Sequence, residues 1–171
     1  MTALKMRLLA ALAALTALLT GCAYTAPYRS TALARGEALD PEEIVIVALS
    51  ATEHRPGKRR DFFTDTRRVL ADLPDQDGLL GYSFRFEIFG NEAWTMTAWR
   101  DEAALQAFVR SPAHAEAVRA SGQTAQNIRF VTLHRPLSSL PVRWSEALPL
   151  LQAASPRSSP AHASSPFPQP Q

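Results

Sequence analysis

Cysteine occurs once in the 171 residues, as Cys22, so no intramolecular disulfide is available and pairing says nothing about redox compartment. An excess of charge of one sign is almost missing too. Basic residues outnumber acidic ones by only two, and Lys5 and Arg7 supply that excess: from residue 22 onward 16 basic side chains stand against 16 acidic ones. This balance argues against a polyanion partner, so no nucleic-acid binding is expected. The apolar run Leu8–Leu19 (LLAALAALTALL) would make a helix of about 18 Å, well short of a hydrocarbon core about 30 Å thick. There is no phosphate-cradling glycine loop and no dinucleotide fingerprint. His54, His114, His134 and His162 lack zinc-ligand spacing, and no metal is expected. Gly81-Tyr82-Ser83-Phe84-Arg85 begins like a nucleophile elbow but lacks the second glycine and precedes no helix.

At the N-terminus two positive charges precede the short apolar run, which is the pattern of a signal peptide rather than of a membrane span. Leu19-Thr20-Gly21-Cys22 follows at once and resembles the lipobox of bacterial lipoproteins. That resemblance implies that residues 1–21 are removed and that Cys22 is the lipid attachment site, its thiol consumed. The alternative is an ordinary secretory signal followed by a free cysteine. Membrane lipid becomes a partner on the first reading, and the location a periplasm-facing cell envelope. Ala23 rather than aspartate after the cysteine points to the outer membrane.

Residues 22–43 show no sustained periodicity and read as a lipidated N-terminus and tether. Residues 155–171, rich in proline and serine, cannot bury enough apolar surface to order themselves and read as a disordered tail. The patterned part is 44–136. IVIVALS (Ile44 to Ser50) reads as a buried strand. Phe62, Phe63, Thr66, Val69, Leu70 and Leu73 recur at three- and four-residue spacings, as on an amphipathic helix closed by Pro74. LLGYSFRFEIF (Leu79 to Phe89) alternates, with Leu80, Tyr82, Phe84, Phe86 and Ile88 on one face, and Gly90-Asn91 turns it into EAWTMTAW, so a hairpin is expected. Asp101 is placed to cap a helix bearing Ala104, Leu105, Phe108 and Val109. Ser111-Pro112 starts another that runs to Gly122, and NIRFVTLHR (Asn127 to Arg135) is the last strand. The order β-α-β-β-α-α-β predicts an α+β, ferredoxin-like split βαβ fold with a four-stranded antiparallel sheet and helices on one face. In residues 137–154, Trp144, Leu148 and Leu151 allow a short docking helix.

The string WTMTAWRDEAALQAFVRSPAHAEAV, within residues 44–136, resembles the hairpin strand and following helices of antibiotic-biosynthesis-monooxygenase-like proteins of the dimeric α/β-barrel type. The resemblance implies a homodimer whose sheets pair face to face, burying the Tyr82/Phe84/Phe86 stripe. It implies either a cofactor-independent monooxygenase acting on a small aromatic or polyketide-like substrate, or a domain that holds a small hydrophobic ligand without catalysis. Export to a compartment lacking NAD(P)H favours a member that needs no cofactor. Haem degradation, which occurs elsewhere in the superfamily, fits poorly, because the iron-binding histidine is replaced by Val118 and the first-strand asparagine by Ser50.

His114 is the catalytic candidate. As third residue of its helix it lies at a positive dipole end, with Ala117 and Val118 one turn on, so a neutral imidazole facing the sheet is expected. Such a ring either orients or deprotonates an aromatic ligand or is a core histidine satisfied by a backbone carbonyl. Tyr82, Phe84, Trp94 and Trp99 are candidate pocket walls or core. Arg85 either pairs with a ligand carboxylate or phenolate, or with Glu87, or faces water. Arg55, Lys58, Arg59 and Arg60 oppose the macrodipole at a helix start, which fits either anionic headgroups beside the anchor or a solvated basic turn with Asp61 nearby.

Overall fold

A computed structural model describes residues 22–156; the expected signal peptide 1–21 and nearly all of the expected 155–171 tail lie outside the described residues. Within them the chain forms β1 (Ala23–Thr25), β2 (Arg29–Ser30), α1 (Thr31–Ala34), β3 (Ile44–His54), α2 (Arg59–Asp72), β4 (Leu79–Glu87), β5 (Glu92–Trp99), α3 (Glu102–Val109), α4 (Pro112–Thr124), β6 (Ala125–Pro136) and α5 (Trp144–Ala153). The strands make one antiparallel sheet in the order β1-β4-β5-β3-β6, with β2 also on the β4 edge. The expected split βαβ arrangement is thus present in β3 to β6, with α2 and α4 packed together over one face.

Local chemistry explains the element ends. Asp101 accepts from the Ala104 amide at 2.8 Å and starts α3. Ser111 receives the His114 amide and Pro112 takes the first helical position of α4, where no donor is needed. Glu87 Oε2 accepts from the Asn91 and Glu92 amides, at 3.0 and 3.2 Å, and closes the β4–β5 turn.

The first correction concerns residues 22–43, expected to be a tether. Instead β1 pairs Ala23 with Glu87 and Tyr24 with Phe86, and β2 pairs Ser30 with Gly81, so this segment closes the otherwise open edge of β4. The fit is specific. A Cβ on Gly81 would lie 2.4 Å from the Tyr28 hydroxyl, so only glycine lets the tyrosine cross the strand there. That hydroxyl is buried without a partner, and burial pushes its pKa up to about 12.

The second correction concerns the stripe on β4. Pairing with β5 shifts register between Leu79 and Gly81, and this irregularity separates Leu80 from Tyr82. Leu80 packs with Val45, Val47 and Met96 on one face, whereas Tyr82 joins Ile46, Trp99 and Phe108 on the helix face. The ring of Phe86 meets Phe63 of α2 at 5.3 Å, so the aromatic stripe faces the chain's own helices rather than a second sheet. Ile88 lies beyond the strand and is exposed.

The other sheet face is covered from within the chain. Val142, Ala147 and Leu151 are buried in one cluster with Val45, Leu49, Met96 and Ala98, and Leu137, Leu140, Trp144 and Leu148 pack around them. The Trp144 indole N–H donates to Ser83 Oγ (3.2 Å), and that hydroxyl donates to the Ala26 carbonyl (2.8 Å). A face-to-face pairing of two sheets on this side would have to displace α5.

Candidate functional site

Between the helix face of the sheet and α2 and α4 the packing is left open. No residue of α2 is fully buried, although Phe62, Phe63, Thr66, Val69 and Leu70 all face inward. Beneath them is a cleft of about 1090 Å³, slightly above the usual range of small-molecule sites. Its walls are mainly aromatic and aliphatic, with Tyr82, Phe84 and Phe86 from β4, Phe62 and Phe63 from α2, and Phe130 from β6. The centre of the sheet adds a row of hydroxyls: Ser50 and Thr95, cross-strand neighbours whose oxygens lie 2.6 Å apart, with Thr52 and Thr97 to either side.

His114 lines this cleft with Ala117 and Val118, on the same side of α4. Its Nδ1 lies 3.1 Å from the Val109 carbonyl, which can only accept, so Nδ1 carries the proton and the neutral ring keeps its acceptor at Nε2. Burial lowers the histidine's pKa, partly countered by the bond to Val109, so the neutral form prevails near pH 7. The ring is held against Phe108 at 4.7 Å between centroids, and Phe108 stacks on Trp99 at 5.0 Å. Trp99 is fully buried and donates its indole N–H to Thr97 at 2.8 Å. It therefore supports the site from behind and is not a wall.

Two other expected pocket residues, Arg85 and Trp94, border the cleft but turn their side chains to the opposite face of the sheet. The Trp94 side chain packs with Leu49 and Met96 in the α5-side cluster. The Arg85 guanidinium lies 5.7 Å above that indole and donates to Thr25 Oγ1 at 2.8 Å, so its partner is neither Glu87 nor a group in the cleft. Strand alternation accounts for both, since Arg85 and Trp94 are paired residues on the face away from His114. Among the expected walls, Tyr82 and Phe84 present their side chains to the cleft with His114.

The sequence reading missed the hydroxyl row, because Ser50 and Thr95 become neighbours only through the β3–β5 register. It also passed over His54, buried at the end of β3 with Nε2 unpartnered and its ring 5.8 Å from Phe62 and 6.3 Å from Phe63. Among the described residues no group of three or more His, Cys, Asp or Glu is placed to hold a metal ion. The cleft offers apolar contact, a few hydroxyls and one neutral imidazole, a set suited to a flat hydrophobic molecule with a weakly acidic group. Cys22 is exposed just before β1.

Comparison with known proteins agrees with this geometry. Protein PA3566 from Pseudomonas aeruginosa is 19% identical, with a TM-score of 0.51 over 55% of this chain and 96% of that one. Protein SO0527 from Shewanella oneidensis is 13% identical, with a TM-score of 0.51 over 64% of this chain and 97% of its own. A conserved protein from Methanosarcina mazei is 15% identical, with a TM-score of 0.50 over 54% and 94%. At these identities the likeness is one of fold. No curated protein matches the sequence. Residues 37–120 match the family described as Antibiotic biosynthesis monooxygenase, and this part of the chain is similar to that family in sequence.

Proposed function

We propose that the domain binds a small hydrophobic or aromatic ligand in the cleft beneath α2, displayed from a membrane by lipid on Cys22. The observation that carries the binding half is the cleft itself, a large aromatic-walled space that the folded chain leaves unfilled beside a neutral histidine. Native mass spectrometry of the protein purified from its host is expected to show a small apolar molecule released on denaturation, and Val118→Phe, which narrows the cleft beside His114, is expected to carry less of it. Undiminished retention by both Val118→Phe and Thr95→Phe, which narrow the cleft from opposite sides, would place binding elsewhere. For the anchor, labelled fatty acid should enter the native chain and not Cys22→Ser; label in the mutant would overturn the assignment. Among the described residues no helix is long and apolar enough to cross a membrane.

A second reading, cofactor-independent monooxygenation, draws on His114. Because Nδ1 is committed to the Val109 carbonyl, Nε2 is left to take a proton from a phenol or enol, making the electron-rich anion that dioxygen can attack. Oxygen uptake with a panel of phenolic and polyketide-like substrates tests it. Turnover by the native protein that His114→Gln removes, with ligand binding retained, would favour catalysis over storage.

A further inference from the structure

We propose that the end of the sheet bearing Cys22 is a membrane-seating surface, in which the β4–β5 turn inserts apolar side chains among lipid headgroups and the start of α2 contacts anionic ones. This rests on the reading of Cys22 as a lipid attachment site. Six large apolar side chains are exposed among the described residues, and three of them meet here: Tyr24 at 47%, Ile88 at 45% and Phe89 at 69%. The Ile88 amide donates to the Cys22 carbonyl at 2.9 Å, so the point where the chain leaves the described structure lies against the turn itself. No tether separates anchor from domain, and a lipid on Cys22 would bring this surface into the interface.

The turn is built rather than loose. Glu87 closes it through two backbone amides, and Arg59 of α2 donates to the Gly90 carbonyl at 2.7 Å and the Glu87 carbonyl at 2.9 Å. Phe89 is thus held outward with nothing among the described residues to cover it. The charge around it is complementary to anionic headgroups. Asp61 is paired with Lys58, Glu92 with Arg129, and Glu53 accepts from Asn91, Gln126 and Asn127, whereas Arg55 and Arg60 are exposed and have no acidic partner among the described residues. Basic residues at a helix start are intrinsically unfavourable, and an anionic surface reverses that cost. With the turn on the bilayer, the cleft rim formed by Gly57, Arg59, Arg60 and Phe63 also faces lipid, giving an apolar ligand an entry that avoids water.

The test uses the full chain, isolated from its host and reconstituted into vesicles of phosphatidylcholine alone or with added phosphatidylglycerol. Phe89→Cys carries an environment-sensitive fluorophore, and Ala107→Cys on α3, at the other end of the sheet, is the control. Expected is a blue shift and a several-fold loss of iodide quenching at position 89 but not at 107. Lys58→Glu with Arg60→Glu should weaken the effect on anionic vesicles only, by roughly fivefold per residue. A chain that carries fatty acid and floats with the vesicles, yet stays as wet at 89 as at 107, would overturn the seating surface while leaving the anchor intact. If the chain carries no fatty acid, the anchor fails, and the same label on protein added to anionic vesicles decides the turn alone: a blue shift keeps it, none ends it.

Discussion

The two faces of the sheet are made from alternate residues of the same strands, yet they are finished differently. On the α5 side Val45, Leu49, Ala51, Met96, Ala98, Ala147 and Leu151 are all essentially inaccessible and pack against one another. On the helix side the strands present hydroxyls and aromatics, α2 buries no residue completely, and a cleft of about 1090 Å³ stands open. Close packing supplies stability, and a surface that stays unfilled gives some of it up to keep room for a ligand. The division of labour is legible in residue type: aliphatics meet α5, and the Ser50, Thr95 and Thr97 hydroxyls meet the cleft.

The most severe way to break this contrast is to remove residues 137–171. That strips the cover from Val45, Leu49, Val131 and Leu133, and light scattering on a sizing column should show larger assemblies than the intact chain forms. A truncated chain with the same mass distribution and equal stability would mean that α5 is not the cover. Next in size, Leu151→Ala on the closed face should cost about 2–5 kcal/mol in chemical denaturation, because a fully buried leucine leaves a cavity. Overpacking separates the faces more sharply. Ala51→Leu should cost about 1–3 kcal/mol, while Val118→Phe, which enlarges a side chain that lines the cleft, should stay within about 1 kcal/mol of the native protein. Equal losses from the two would show that the cleft is not free space.

The smallest effect is one of pH. Burial depresses the pKa of His114 in the folded state, so as pH falls through the ordinary histidine value near 6.5 the unfolded chain gains a proton before the folded one does. Stability should therefore fall on acidification from that point down to the depressed pKa and be complete above it. His114→Gln should flatten this part of the profile of denaturation midpoint against pH; an unchanged slope would assign it to other groups.

The four long strands and their helices were readable because periods of two and near four persist over many residues, and the caps at Asp101 and Ser111 marked where helices begin. Three things were not readable, for physical reasons. β1 and β2, of three and two residues, are too short to show alternation, and they are strands only because β4 has an edge to offer. The register shift near Leu80 parts two residues that a strict period of two places together. Trp94 fell on the wrong side because its own hairpin partner, not its aromatic character, decides which face it meets. His114 was legible because helix spacing and the Ser-Pro start fix its direction, while the hydroxyls opposite it required the register of two strands.

One oxygen atom has a further consequence. Ser83 Oγ gives its proton to Ala26 and takes one from Trp144, so a residue in the middle of the chain serves both of its extensions at once. Ser83→Ala would leave an indole N–H and a carbonyl unpaired in different segments, so a single hydroxyl is a hinge pin that both extensions share. One substitution on β4 should therefore unsettle the segments around Ala26 and Trp144 together.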